Sequence, residues 1–203
     1  RSVTRSALSA GLEVAGIIRG YQGLIDDNII SLEHRSVSNI INRGGTILKT
    51  ARSEKFRSPE GKRIALETLK KHNIDALIVI GGDGTYQGAV DMMALNQFPI
   101  VGVPGSIDND ICGTDETIGC ETAINTALES IDKIRDTAQS MERIFIIEVM
   151  GNKSGYIALR VAMAAGAETV IIPERKFDYK TLCSEIQDGN KRGKLNWMIV
   201  TAE

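Results

Sequence analysis

A chain of 203 residues, 42% apolar and 25% charged, is long enough for one large or two small domains with true cores. Its formal net charge of −2 leaves no basic surplus for nucleic acid or an anionic membrane surface, and no apolar run approaches the ~20 residues of a transmembrane helix. Three cysteines, Cys112, Cys120 and Cys183, form no CxxC pair and point to reduced thiols in the cytoplasm, while His34 and His72 lack the spacing of zinc ligands.

Apolar runs predict strands at 13–18, 46–48, 76–80, 100–103, 144–149, 169–172 and 198–201, with helical periodicity between them. The opening Arg1-Ser2-Val3-Thr4-Arg5 begins a helix-like pattern and carries no signal-peptide run. A helix is predicted over 59–72, where Pro59 suits the first turn and the basic residues near the end suit the helix dipole. The clearest helix is 122–136, where Ile124, Leu128, Ile131 and Ile134 share one face. Strands that are apolar throughout and alternate with helices imply an α/β fold: mainly parallel sheets, helices on both faces, two Rossmann-like units. A polar, glycine-punctuated stretch at 113–119 predicts a division into 1–119 and 120–203, the latter with three strands. The chain stops directly after a strand, a pattern expected of a piece of a longer protein.

Two loops carry the chemistry, and each follows an apolar strand, where open α/β sheets bind their ligands. Ile80-Gly81-Gly82-Asp83-Gly84-Thr85 leads into a helix, so its glycines allow backbone N–H groups to approach a phosphate. Asp83 beside phosphates would be repelled without an intervening cation, which makes it a magnesium ligand candidate. A tight strand–helix turn with Asp83 as a cap is the plainer alternative. Pro104-Gly105-Ser106-Ile107-Asp108-Asn109-Asp110 places Asp108 and Asp110 on one side while Ile107 packs. One carboxylate can take a proton from a substrate hydroxyl while the other serves the metal. A solvated Asx turn is the plainer alternative there.

The strings at 81–88, 104–110, 112–119 (CGTDETIG) and 148–155 (EVMGNKSG) together resemble the bacterial ATP-dependent 6-phosphofructokinases. Gly20-Tyr21-Gln22-Gly23-Leu24, Arg43-Gly44-Gly45-Thr46 and residues 166–174 extend that resemblance over essentially the whole chain. It implies transfer of the ATP γ-phosphoryl group, with Mg2+, to the 1-hydroxyl of fructose 6-phosphate by a glycolytic, cytoplasmic homotetramer. Residues 1–119 then form the ATP and magnesium domain, and 120–203 the sugar-phosphate domain.

By position, the resemblance implies Asp108 as the base, Asp83 on magnesium, Asp110 as a second acid, and Arg52 as the cation at the transferring phosphoryl group. It implies Ser53, Gly82, Gly84 and Thr85 with Arg52 and Asp83 at ATP. Ser106, Ile107, Met150, Gly151, Asn152 and Glu203 would line the sugar pocket, with Arg143 reaching a neighbouring subunit's site. Arg1, Arg5, Arg135, Gly166, Ala167, Glu168, Arg192 and Lys194 would bind ADP or phosphoenolpyruvate as allosteric effector. Relatives that use pyrophosphate carry Asp where Gly84 stands and Lys where Gly105 stands, so the two glycines favour ATP.

Departures from the pattern are equally specific. The family's first strand and its GGDxPGMN loop would precede Arg1, and its C-terminal sugar-phosphate contacts would follow Glu203, so the 203 residues alone are expected to be inactive. Asn152 stands where arginine is usual, and an amide supplies no charge or bidentate fork. Ser106 replaces the usual threonine and keeps the hydroxyl. The competing readings are a non-catalytic regulatory subunit, motivated by Asn152, a pyrophosphate-dependent relative, and a lipid or NAD kinase, which shares GGDGT but is not expected to carry 104–110.

Overall fold

Seven strands and seven α-helices alternate along residues 1–203, all of which the computed structural model describes. Packing divides them into two units: Arg1–Val79 with Gln87–Val101, and Ile80–Tyr86 with Gly102–Glu203. No helix is long and apolar enough to cross a membrane.

The first unit opens with α1 (Ser2–Ser9), followed by β1 (Ala15–Ile17), α2 (Gly20–Ile25) and β2 (Ile29–Ser31). β1 and β2 pair antiparallel, Ala15 opposite Ser31. The expected strand at 13–18 is therefore shorter, and β2 carries no sequence signal because a three-residue strand has too little length to show a period. The expected strand at 46–48 does not form. The Thr46 hydroxyl accepts a hydrogen bond from Leu48 N at 3.2 Å and the Thr46 carbonyl accepts one from Lys49 N. That local turn competes with strand pairing.

α3 (Pro59–Lys71) starts as its sequence dictates, with Pro59 in the first turn and the Ser58 hydroxyl accepting from Gly61 N at 3.0 Å. Its Ala65 and Leu69 are fully buried with Leu24, Phe56 and Met92 in the core of this unit. Tyr21 stacks on Phe56 with ring centroids 4.0 Å apart, and Gly88 leaves room for both rings. Burial, then the nearby Asp91 charge, pushes the Tyr21 phenol up to about 12.

β3 (Leu77–Gly81) and β4 (Ile100–Pro104) form a two-stranded sheet, with α4 (Asp83–Asn96) between them in sequence. Leu77 N donates to Pro99 O and Gly105 N to Gly81 O, so the strands run in the same direction.

The second unit is built on a parallel sheet in the order β5 (Ile144–Val149), β7 (Trp197–Ala202), β6 (Thr169–Ile171). Central β7 is buried at Trp197, Met198, Ile199 and Val200, as a strand covered on both faces must be. α5 (Cys120–Ser140) buries Ile124 and Ile131 on the face read from its periodicity, with Leu128 packed beside them. α6 (Tyr156–Ala165) buries Ile157, Ala158, Val161, Ala162 and Ala165, and Gly166 ends it in the left-handed region at φ 63°. α7 (Tyr179–Lys191) is capped by Asp178 and buries Gly189, whose missing Cβ would lie 2.5 Å from the Trp197 ring.

Candidate functional site

The glycine turn closes between β3 and α4. Thr85 N and Tyr86 N both donate to Gly82 O, at 2.9 and 3.2 Å, and Asp83 opens the helix. A Cβ on Gly81 would lie 2.3 Å from Thr85 Oγ1, so only glycine fits. Gly84, by contrast, faces open space: nothing lies within 4 Å of a Cβ there. Asp83 and Gly84 are exposed at a helix N-terminus, where N–H groups and dipole both favour anions.

The acidic loop leaves β4 at Pro104 and is closed by Ile118 N donating to Pro104 O at 2.9 Å. Gly82 faces Ser106, whose Cβ would be 3.6 Å from an added Cβ. Ile107 packs against the apolar core of the second unit, as expected. Asp108 is half-buried and Asp110 exposed. Burial pushes the Asp108 carboxyl above the ordinary carboxylate range, and the charges of Asp110 and Glu203 push it the same way. Its backbone is held on both sides: N donates to Ser106 Oγ at 3.3 Å, and O accepts from Ser154 Oγ at 3.1 Å.

Ser154 belongs to the loop after β5. There a Cβ on Gly151 would meet Ser154 O at 2.3 Å, and Asn152 takes φ 52°. Asparagine tolerates that left-handed geometry better than arginine does, a local reason for its presence. Glu203 N donates to Val149 O at 3.0 Å, which brings Glu203 beside Met150. The structure therefore gathers Gly82, Asp83, Ser106, Ile107, Asp108, Met150, Gly151, Asn152 and Glu203 at the carboxyl ends of β3, β4, β5 and β7. Arg143 precedes β5 and sits at the opposite strand end, on the order of 20 Å from Met150 at ~3.3 Å per residue.

A cleft of about 460 Å³ opens between Asp83, Tyr86, Pro104 and residues 111–114. Tyr86 carries no motif of its own in the sequence. Its signal is Gly102 inside β4: a Cβ there would lie 2.1 Å from the Tyr86 ring.

Arg52 and Ser53 lie in the first unit. Arg52 is exposed, and Ser53 Oγ accepts from Phe56 N at 3.2 Å, capping the 3-10 turn Lys55–Arg57. Arg1, which immediately precedes α1, and Arg5, within it, are exposed. In the second unit, the Arg135 guanidinium donates to Ala165 O at the end of α6. Glu168 accepts from Lys194 Nζ and from Met198 N, both at 2.7 Å. Burial works against the Glu168 charge, but the hydrogen bonds from Lys194 and backbone N–H groups, together with the Lys194 charge, outweigh it and hold the carboxyl below its usual range. Arg192 follows α7 and is exposed.

No three His, Cys, Asp or Glu side chains converge as a metal cage. The donor set fits magnesium nonetheless, because that ion is commonly held by one or two carboxylates together with substrate phosphates.

A glycine turn and an acidic loop at the carboxyl ends of parallel strands define an α/β protein of the class that binds its ligands beyond those ends. The phosphofructokinase family model matches residues 1–203, and the chain belongs to the phosphofructokinase family. It is 52% identical over 203 residues to the ATP-dependent 6-phosphofructokinase of Oceanobacillus iheyensis, covering all of this chain and 63% of that protein. It is 53% identical to that of Cytophaga hutchinsonii, covering 98% of this chain and 62% of that one. The chain thus spans less than two thirds of the length of these curated relatives. Among solved structures, phosphofructokinase from Saccharomyces cerevisiae aligns with TM-score 0.85 and 35% identity over 99% of this chain and 31% of that one. Pyrophosphate-dependent phosphofructokinase from Nitrosospira multiformis aligns with TM-score 0.85 at 20% identity, over 100% of this chain and 54% of that one, a likeness of fold.

Proposed function

We propose that the whole protein transfers the γ-phosphoryl group of ATP to the 1-hydroxyl of fructose 6-phosphate, giving fructose 1,6-bisphosphate. The observation that carries this reading is Asp108, a carboxyl with raised proton affinity, set within a loop whose neighbours are the glycine turn and Glu203. The names of relatives just over half identical to this chain support it.

In this reading, residues 1–119 form the ATP- and magnesium-binding domain, whose 106–108 loop also meets the sugar, and 120–203 form the sugar-phosphate-binding domain. The N–H groups at the start of α4 hold ATP phosphates with Gly82, Gly84 and Thr85, and Ser53 borders them. Asp83 holds Mg2+, with Asp110 nearby; the ion supplies charge neutralisation at the phosphates when bound. Asp108 takes the proton of the sugar hydroxyl as the oxygen attacks, and its raised proton affinity suits it to that step. Arg52 neutralises charge on the transferring group. Ser106, Ile107, Met150, Gly151, Asn152 and Glu203 orient the sugar, and Arg143 acts from a neighbouring subunit of a homotetramer. The side at Gly84 is open, which leaves room for a nucleotide, and Gly84 and Gly105 favour ATP over pyrophosphate. Arg1, Arg5, Arg135, Gly166, Ala167, Glu168, Arg192 and Lys194 form the effector site for ADP or phosphoenolpyruvate. Three free cysteines fit a cytoplasmic location.

The test is a coupled assay of the whole protein with fructose 6-phosphate, Mg2+ and either ATP or pyrophosphate. ATP-dependent formation of fructose 1,6-bisphosphate is expected. Turnover with pyrophosphate alone, or none with either donor, overturns the proposal.

A further inference from the structure

The loop that carries Asp108 is held from inside by a polar pair that the reaction itself does not use. Thr117 is one of the three buried polar residues of the chain, 5% exposed, and lies just before the loop closes at Ile118. Its N–H donates to Asn109 Oδ1 at 2.8 Å. Its hydroxyl lies within reach of two acceptors, Ser106 O and Asn109 Oδ1, and the former is the closer. A hydroxyl has one proton to give, so Ser106 O receives it and the Thr117 N–H serves Asn109. The other half of the Asn109 amide, Nδ2, donates to Asp115 O at 3.1 Å.

We infer that Asn109 and Thr117 are positioning residues that set the Asp108 carboxylate for proton transfer, by fixing the backbone two residues before it and one residue after it. This rests on the reading of Asp108 as the base. Ser106, two residues before Asp108, supplies a third tie, since its Oγ accepts from Asp108 N at 3.3 Å. Asn109 takes φ 50°, a left-handed geometry that asparagine tolerates among non-glycine residues. Its side chain then reaches forward along the loop to Thr117 and Asp115. Buried polar groups left without partners are costly, so the pair cannot be loosened on one side without disturbing the other. Misplacing a catalytic group by about 1 Å can cost ~100-fold in rate, which makes this clamp a determinant of turnover and not only of loop order.

The experiment compares T117V, T117S, N109G and D108N in the whole protein. It measures kcat, KM for ATP and for fructose 6-phosphate, and the thermal midpoint of each. T117V keeps the shape and loses the hydroxyl; T117S keeps the hydroxyl. N109G accepts positive φ and removes only the amide, so it reports on the clamp even if T117V fails to fold. The expected result is a fall of about 10- to 100-fold in kcat for T117V and N109G, KM values within about threefold of wild type, and T117S restored to within about threefold. Wild-type kcat in folded N109G, while D108N is inactive, overturns the clamp and leaves Asp108 as the base. An equal loss in T117S and T117V also overturns it, because packing and not the hydroxyl would then be responsible. Wild-type kcat in D108N overturns the reading of Asp108 itself, and the clamp with it.

Discussion

The Ser154 hydroxyl donates a hydrogen bond to the backbone carbonyl of Asp108 across 3.1 Å, tying the loop after β5 to the loop after β4. The same oxygen accepts from Tyr156 N at 3.3 Å, so the tie is continuous with the start of α6. Ser154→Ala removes both bonds. Each is worth about 1 kcal/mol of stability, and the whole protein should lose roughly tenfold in kcat if loop placement limits the reaction. Urea unfolding and steady-state kinetics on the one variant check the two effects separately.

Asp108 gives a stability change with a definite sign. Its folded carboxyl binds a proton more tightly than the unfolded one, so the folded state holds more protons between the two pKa values. Stability from this group is therefore present at low pH and is lost as pH rises through the folded pKa. Asp108→Asn removes that penalty and should raise the melting temperature at pH 7, with the advantage shrinking below the ordinary aspartate pKa of about 3.9. Melting curves from pH 3 to pH 8 test this; a variant less stable than wild type at pH 7 would contradict it.

Glycines in one turn should behave oppositely. Gly81→Ala forces a Cβ to 2.3 Å from Thr85 Oγ1 and should cost roughly 1–3 kcal/mol by overpacking. Gly84 sits in the first turn of α4 with open space around its Cβ position, so Gly84→Ala should stabilise the helix by up to about 1 kcal/mol. Under the proposed function, Gly84→Asp should weaken ATP binding while leaving the fold intact. Chemical denaturation and nucleotide titration resolve the three variants.

Asn152→Arg tests why an amide stands in the loop after β5. With φ 52° at that position, arginine should cost about 1–2 kcal/mol. The expected kcat stays within about threefold of wild type, a range of under 1 kcal/mol in barrier. A large gain in kcat would instead favour a protein kept inactive by its asparagine.

The cap at the start of α3 offers a control far in sequence from the acidic loop. Ser58→Ala removes the acceptor for Gly61 N and should destabilise the fold by about 1 kcal/mol, with no change in KM for either substrate.

Much of this architecture is legible in the sequence because its signals are local. The helical period at Ile124, Leu128 and Ile131, the Ser58-Pro59 helix start and the four apolar residues that open β7 each state their own structure. β2 was not legible, because three residues acquire strand geometry only by pairing with β1. The 46–48 run misled for the opposite reason: β-branched and apolar residues suggested a strand, and the Thr46 hydroxyl formed a turn instead. Tyr86 could have been found from Gly102, a glycine inside an apolar strand.

The chemistry available to this protein, and its family, are written in local strings, since the glycine turn, the paired acids and the residues around them are contiguous in the chain. Tertiary structure decided which of those groups meet. It placed Met150 and Glu203 together at one end of their strands and Arg143 at the other. It joined Ser154 to Asp108, Thr117 to Asn109, and Lys194 to Glu168. It also raised the Asp108 proton affinity through burial and the approach of Glu203. The physical reason is range: hydrophobic period and turn propensity act over a few residues, whereas desolvation, charge coupling and polar pairing depend on residues that only folding brings within a few ångströms.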